Sequence, residues 1–229
     1  MARVAKEEER AAKRNAILEA AHELVFSKGY EQMSVQDILT RLAISKGAFY
    51  HYFSSKQAVL DGLVDRAAGQ AAQALEPIIQ HPTLTAVEKL NQYMAASAQW
   101  KTAHKTFLVA LLRVWYDDHN AIYRQKLQAM SLERGMPQLA AIIRQGQAEG
   151  VFVTNYPEQT GEMLVNLMVG IGEAWARIVL ADPPLPDAEL RLERLVAAYT
   201  EAMERLLGLP PGTLILMDPP SIQAWATAA

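Results

Sequence analysis

The stretch "AISKGAFYHYF", residues 43–53, places a glycine among aromatic rings in a segment short enough for a single brief helix. A glycine inside a helix costs about 1 kcal/mol relative to alanine. Tyr50 and Tyr52 are two residues apart, so a helix directs them to different faces. Such a segment is a poor choice for packing alone, and the residues around it indicate what it is suited for.

A second helix is predicted just before this stretch, over "SVQDILTRL". Ser34 and Asp37 have the three-residue spacing of a capping box. Four apolar side chains share one face of this helix: Val35, Ile38, Leu39 and Leu42. Ser45 has the chemistry of an N-cap for the next helix, which we expect to run from Lys46 to Phe53. Two short helices joined by a tight turn form a helix-turn-helix, whose second helix lies in the major groove of DNA.

This layout gives the unusual residues of the opening stretch a function. Gly47 and Ala48 lie in the first turn, where their small size lets the backbone approach DNA closely. Phe49 and Phe53, four residues apart, face the core. The two tyrosines are left directed outward, with hydroxyls that can donate to phosphates. The residues predicted to contact DNA are Gln36, Ser45, Lys46, Gly47, Ala48, Tyr50, His51, Tyr52 and Lys56.

Periodic apolar residues predict helices along the rest of the chain as well. A first helix is expected to end at Lys28, and a fourth to begin after Ser55 and to end near Pro77. Five further helices follow, with Gly150 closing one and Pro157 opening the next. We therefore predict an all-α fold of about nine helices in total, with a strand content near zero.

The charge of this globular composition is unevenly spread. The net charge is −3, yet residues 1–56 carry nine Lys or Arg against seven Asp or Glu. This first quarter is therefore the basic part of the chain, which suits a polyanionic partner. Part of the charge is clustered at the amino end: Arg3, Lys6, Arg10, Lys13 and Arg14.

Other features of the composition exclude several classes of protein. The sequence contains no cysteine, which excludes disulfides, thiolate catalysis and cysteine-ligated zinc. No run of eighteen or more apolar residues is present, and the amino end is charged where a signal peptide has an apolar stretch. We therefore expect no membrane partner and a cytoplasmic location.

The residues from Ile17 to Leu60 resemble the DNA-binding domain of the TetR (tetracycline repressor) family of bacterial transcription regulators. Three motifs carry the resemblance: Phe-x-x-x-Gly-Tyr from Phe26, Ser-Val-x-x-Ile from Ser34, and Ser-Lys-Gly-Ala-Phe-Tyr-His-Tyr-Phe-x-Ser-Lys from Ser45. A helix-turn-helix pattern alone would be a weak signal, whereas the three motifs in this order are highly specific.

The resemblance also implies an organisation and a mode of action. Residues 1–56 are expected to form an N-terminal arm and the helix-turn-helix DNA-binding domain. Residues 57–229 are expected to form a helical connecting, effector-binding and dimerisation domain that ends in a tail, residues 209–229. The implied function is ligand-responsive regulation of transcription, most often repression that ends when a small molecule releases the protein from a palindromic operator. Expected partners are operator DNA, an unidentified effector and a second copy of the chain, without a cofactor or metal.

The last two long helices are expected to form the dimer interface. Residues 157–181 combine a broad apolar surface with small residues that permit close helix approach, and residues 187–208 repeat apolar side chains at a near-heptad spacing. The predicted interface residues are Leu164, Met168, Ile171, Trp175, Leu195 and Tyr199. The pattern alone leaves open that one of these faces only completes the core of the monomer.

The effector pocket is expected among the central helices, because aromatic residues are concentrated between residues 99 and 123. Apolar walls with a few polar groups are what small-molecule pockets require. The predicted lining residues are Trp100, His104, Phe107, Arg113, Trp115 and Tyr123. Aromatic residues at helical spacing also occur as plain core, so the existence of the pocket rests on the resemblance.

Two other classes of function fit the sequence less well. Glu19 and His22 have the spacing of a di-iron ligand pair, but a helical enzyme of that kind needs two such pairs and further glutamates. Only one is present, so we expect that the protein is not an enzyme. The second alternative is a helical interaction module that uses the helix-turn-helix only for packing. A gel shift with the chain's own upstream DNA distinguishes all three.

Overall fold

The computed structural model describes residues 2–115 and 121–226, and within these ranges it contains helices and turns but no strand. Side chains are described throughout these ranges except at residues 2–5, 26, 114–115, 121–128, 130–132 and 134. The all-α prediction is confirmed. The helices are α1 (Ala2–Lys28), α2 (Val35–Leu42), α3 (Lys46–Tyr50), α4 (Lys56–Ile79), α5 (Ala86–Ala103), α6 (Lys105–Trp115), α7 (Ala121–Ala148), α8 (Pro157–Val179), α9 (Ala188–Leu207) and α10 (Pro219–Ala226). None of those described is long and apolar enough to span a bilayer.

The described residues hold ten helices, where the sequence predicts about nine. The additional helix, α10, lies in the segment for which the sequence predicts only a tail. The helix α3 is shorter than predicted, since it ends at Tyr50 rather than at Phe53. The chain tightens there because the backbone N–H groups of Tyr52 and Phe53 both donate to the Phe49 carbonyl, at 2.9 and 3.1 Å.

A capping box begins α2, as the sequence predicts. Ser34 Oγ accepts a hydrogen bond from the Asp37 N–H, and the Asp37 carboxylate accepts one from the Ser34 N–H at 2.7 Å. The Lys28 ammonium lies 2.6 Å from the same carboxylate. Because Lys28 and Ser34 both stabilise the charged form, the pKa of Asp37 lies well below its ordinary value. The orientation of α2 is therefore tied to the end of α1.

The first compact unit comprises Met1–Gln70 and Thr106–Val114. Its most deeply buried side chains are Ile17, Leu18, Ala21, Val25, Met33, Ile38, Phe49, Phe53, Val59, Leu60, Leu63, Phe107 and Leu111. Gly62 lets α4 pack closely in this core, since a Cβ at that position would lie 2.8 Å from Leu18 Cδ2. The unit is larger than the DNA-binding domain predicted at residues 1–56, because α4 contributes buried side chains to it.

The second compact unit comprises Ala71–Lys105 and Trp115–Ala229. Its core includes Leu90, Tyr93, Met94, Leu139, Ile142, Ile143, Phe152, Leu164, Val165, Met203 and Leu207. The helices α7 and α8 approach closely at Gly161, where an added Cβ would lie 3.0 Å from the backbone nitrogen of Ala140. At this position, a small residue on α8 serves the packing of one chain.

The C-terminal segment, residues 209–226, is a packed part of this second unit. The Asn91 side chain binds its first half, because the amide donates to the Thr213 carbonyl at 3.0 Å and accepts from the Ile215 N–H at 2.9 Å. Between these two contacts, the Leu214 N–H donates to a carboxylate oxygen of the buried Glu204 at 2.9 Å. This half of the segment is therefore fixed by side chains of α5 and α9.

The second half of the C-terminal segment is held by α10. Ile222 and Trp225 are both buried. The Trp225 indole N–H donates to Thr102 Oγ1 at 3.1 Å, and the Trp225 ring packs edge-on against Trp175 with 6.1 Å between ring centroids. The segment thus completes the core of the second unit.

Candidate nucleic-acid interface

The helix-turn-helix presents a small and open first turn at the beginning of α3. Ser45 Oγ accepts a hydrogen bond from the Ala48 N–H at 3.1 Å, so the N-cap prediction is confirmed. A Cβ built on Gly47 would meet nothing closer than Ser45 Oγ, at 3.9 Å. The glycine is therefore not required by the packing of the protein itself, and the space in front of this turn is open.

Two phenylalanines hold α3 in place from the protein side. Phe49 is 0% exposed and Phe53 is 3% exposed, which confirms that both face the core. Burying an aromatic side chain of this kind stabilises a fold by about 1.5–3 kcal/mol. A helix of five residues needs such anchors, because an isolated helix of this length is not stable in water.

The residues predicted to contact DNA lie on the outer surface of α2 and α3. Those that the structure leaves exposed are Gln36, Ser45, Lys46, Gly47, Ala48, Tyr50 and His51. Tyr52 is half-buried, with its ring perpendicular to that of His51 at 5.0 Å between centroids. The Lys46 ammonium lies 6.0 Å from the centroid of the Tyr50 ring. A surface of ammonium, hydroxyl, amide and imidazole groups can bind both phosphates and base edges.

Lys56 differs from the other predicted contacts, because it is engaged within the protein. Its ammonium lies 4.2 Å from the centroid of the Tyr30 ring and donates to the Glu31 carbonyl at 3.2 Å. Burial raises the pKa of Tyr30 to about 12. Lys56 therefore links the start of α4 to the turn after α1, and its contact with DNA stays a prediction.

Arg14 is a neighbour of this surface that the sequence-based site does not include. Its guanidinium carbon lies 5.1 Å from the centroid of the Phe53 ring, and its side chain lines a groove together with residues 50–54. The sequence pattern could have identified Arg14. It lies three and four residues before the buried Ile17 and Leu18, so it shares their face of α1.

The predicted dimer interface is corrected by the structure at two positions. Leu164 is 0% exposed and belongs to the core of the second unit, and Trp175 is 7% exposed and covered by Trp225. Both side chains are enclosed within one chain, so they leave little or no surface for a partner. The remaining predicted residues are half-buried: Met168, Ile171, Leu195 and Tyr199.

The four predicted pocket residues with described side chains are divided between the two compact units. Trp100 and His104 stack on each other in the second unit, with 4.3 Å between ring centroids. Phe107 belongs to the first unit, where it is buried against the ring of His22 at 4.9 Å. Arg113 is exposed in the same unit. The side chains of Trp115 and Tyr123 lie outside the described residues, so the pocket stays a prediction.

The Glu19 and His22 pair has other contacts in the structure. The Glu19 carboxylate forms an ion pair with Arg66 at 2.8 Å, and His22 packs against Phe107. Among the residues whose placement is described, no group of three or more His, Cys, Asp or Glu is arranged to hold a metal ion.

Two parts of the chain match known families of sequence. Residues 17–63 match the family described as "Bacterial regulatory proteins, tetR family", and residues 113–170 match the family described as "Tetracyclin repressor-like, C-terminal domain". The first match covers the helix-turn-helix and the beginning of α4.

Similar proteins extend this relation over most of the chain. The HTH-type transcriptional regulator EthR of Mycobacterium tuberculosis is 28% identical over 200 residues, which cover 82% of this chain and 85% of EthR. A TetR-family regulator from Syntrophomonas wolfei is 19% identical, with a TM-score of 0.61 over 84% of this chain and 95% of its own. A structure described as a SmeT-triclosan complex is 21% identical, with a TM-score of 0.59 over 91% and 98%. With residues 17–63 and 113–170 matched to TetR models and most of the chain aligned to EthR, the chain belongs to the TetR family of DNA-binding transcriptional regulators.

Proposed function

We propose that this protein is a homodimeric repressor that leaves a palindromic operator when a small molecule binds to it. The observation that carries the proposal is the first turn of α3, where Gly47 faces open space while Phe49 beneath it is fully buried. A helix that is buried on one face and exposed, with small residues, on the other is suited to insertion into the major groove of DNA. The exposed face contributes little to the packing of the fold.

The proposed contacts divide into two classes. The backbone at Gly47 and Ala48 approaches the base edges, because neither residue carries a side chain long enough to hold the helix away from the groove. Lys46, Tyr50 and Tyr52 bind phosphates on the flanks, which fixes the register of the helix without reading sequence. Gln36 and His51 lie at the edges of the same surface, and Ser45 and Lys56 complete the proposed contact set.

Two-fold symmetry follows from the proposed dimer. The half-buried apolar side chains of α8 and α9, among them Met168, Ile171 and Leu195, form the proposed contact between two copies. A closed dimer presents two copies of α3 related by two-fold symmetry. The operator therefore has to be a palindrome whose half-sites have the same spacing as the two copies of α3.

The proposed response to a ligand is a shift between two states of the dimer. In one state, the two copies of α3 are spaced to fit the operator, and in the other they are not. An effector that binds the second state more tightly lowers the affinity for the operator, at most by the ratio of the effector's affinities for the two states. The SmeT-triclosan complex supports this proposal by analogy, since that structural neighbour was solved with a small molecule.

The proposal is tested by fluorescence anisotropy with labelled DNA from the region upstream of the protein's own gene. The wild type should bind one segment of this region about a thousandfold more tightly than unrelated DNA of equal length, within the usual range for specific binding. Gly47→Leu should reduce the affinity to that for unrelated DNA and leave the melting temperature unchanged.

The matched control is Gly69→Leu in α4, a second glycine with space for a side chain, since a Cβ there would meet no atom within 4 Å. This variant should bind the operator as the wild type does. If the wild type binds no DNA, or if Gly47→Leu binds like the wild type, the proposal is wrong. An interaction module would give the first of these results.

A further inference from the structure

The helix α1 begins far ahead of the core that it joins. It starts at Ala2, whereas the first buried residue among those whose side chains are described is Ile17. All residues from 6 to 16 are exposed. At about 1.5 Å per residue, the part of α1 ahead of Ile17 is about 22 Å long. We call this part, residues 2–16, the α1 extension.

One face of the α1 extension carries more basic than acidic residues. Each residue of a helix is rotated by about 100° from the one before, so residues three, four and seven apart share a face. By that rule, four basic residues continue the face on which Ile17, Leu18 and Ala21 are buried further along: Lys6, Arg10, Lys13 and Arg14. By the same rule, Glu7 lies on this face as well, three residues from Arg10 and seven from Arg14. Glu8 lies on the opposite face, and Glu9 flanks the basic face, paired with Lys13 at 2.6 Å.

The basic face also adjoins the proposed DNA-binding surface. Arg14 lies over the ring of Phe53 and lines the groove that residues 50–54 form. The last turn of the α1 extension and the turn after α3 therefore present adjacent surfaces.

We propose that the basic face of the α1 extension is a second DNA-binding surface, which binds the phosphate backbone next to the groove that α3 enters. This proposal rests on the proposed DNA-binding function. Duplex DNA carries one negative charge per about 1.7 Å of its axis, so a face about 22 Å long can meet several phosphates. The apolar residues of the extension are alanines and Val4, without the large side chains that hold an amphipathic helix in a membrane interface.

The test replaces the two basic residues that are furthest from the core and have described side chains. Lys6→Gln/Arg10→Gln keeps good helix formers at exposed positions, so the helix content should not change. The variant should bind the operator and unrelated DNA about tenfold more weakly. The plot of log affinity against log salt should become shallower by about 2, because each phosphate contact contributes about 0.9 to its slope.

A third substitution separates a local contact from the net charge of the protein. Adding Glu8→Lys to the double variant restores the net charge, but on the opposite face of the helix. If the basic face binds phosphates, the triple variant should keep the shallow slope of the double variant.

A wild-type slope in the double variant, or a restored slope in the triple variant, would overturn the proposal. If the wild type binds no DNA at all, the proposed function fails instead, and the two failures are therefore distinguishable. Circular dichroism of each variant shows whether the helix has remained intact. A double variant that loses both helix content and affinity is compared with Lys6→Arg/Arg10→Lys, which keeps the charges and should keep the wild-type slope.

Discussion

The short helices α3 and α10 differ in how much of their surface stays exposed. Neither is long enough to be stable alone, so each depends on side chains that pack into a larger unit. The helix α3 is anchored by Phe49 and is otherwise exposed, whereas α10 places Ile222 and Trp225 in a core and covers part of α8. The comparison separates a helix that is built to present a surface from one that is built to close a surface.

The largest expected effect in this comparison is on stability, at α10. Trp225→Ala removes a side chain that is 4% exposed, together with its hydrogen bond to Thr102. The expected loss in the free energy of unfolding is about 3–5 kcal/mol, as for other buried large-to-small changes. Urea unfolding measures the loss, and Trp225→Phe, which keeps most of the packing, should lose only about 1 kcal/mol. Equal stability of all three proteins would show that α10 is not part of the core.

A second variant tests whether DNA binding by α3 depends on the second compact unit. Leu195→Asp places a charge in the proposed contact between two copies of α9, where two-fold symmetry brings like charges together. Sedimentation should show monomers. Operator affinity should fall about a hundredfold, because a monomer binds with one helix-turn-helix only, although no predicted DNA contact is changed.

The control for this variant is Tyr199→Phe on the same helix. The Tyr199 hydroxyl lies over Gly170 of its own chain, 3.0 Å from the position of a Cβ there. Its removal should therefore leave the dimer intact. If Leu195→Asp sediments as a dimer, the interface lies elsewhere.

The next comparison is between two lysines of the DNA-binding surface. Lys46→Ala should reduce the slope of log affinity against log salt by about 1 and leave the melting temperature unchanged. Lys56→Ala should reduce the slope by a similar amount, but should also cost about 0.5–1 kcal/mol of stability, because the ammonium lies against the Tyr30 ring. An unchanged slope would remove that lysine from the contact set.

The smallest expected effect concerns pH and the cap of α2. The folded pKa of Asp37 lies below its unfolded value of about 4, so the cap stabilises the fold above that pH and is lost as the pH falls through the folded pKa. Asp37→Asn should therefore melt at a lower temperature than the wild type at pH 7, and the difference should shrink below about pH 4. A difference that is constant from pH 7 to pH 3 would show that the carboxylate charge does not contribute.

The two helices also show what a sequence can and cannot predict. The caps of α2 and α3 depend on partners within a few residues, as does the inward face of α3. Sequence spacing alone therefore predicted Ser34 and Ser45 as caps and Phe49 as buried. Trp225 has its partners at Thr102 and Trp175, far away along the chain, and no local pattern connects them.

The same reason explains the corrections on α8. An apolar stripe is equally suited to a second chain and to the chain's own C-terminal segment, and the sequence does not show that the segment folds back. Leu164 and Trp175 could therefore be recognised as apolar helix positions, but not as core. The pocket residues raise the same difficulty, because aromatic spacing does not identify the helices that face one another.

We propose that the open first turn of α3 reads a palindromic operator. A footprint of the protein on its own upstream DNA measures whether it does. The wild type should protect two half-sites related by two-fold symmetry, with centres separated by about 10–10.5 base pairs or a multiple of that spacing. Gly47→Leu, folded and at the same concentration, should protect neither half-site. Protection by Gly47→Leu equal to that of the wild type, or no protected site with the wild type, would contradict the claim.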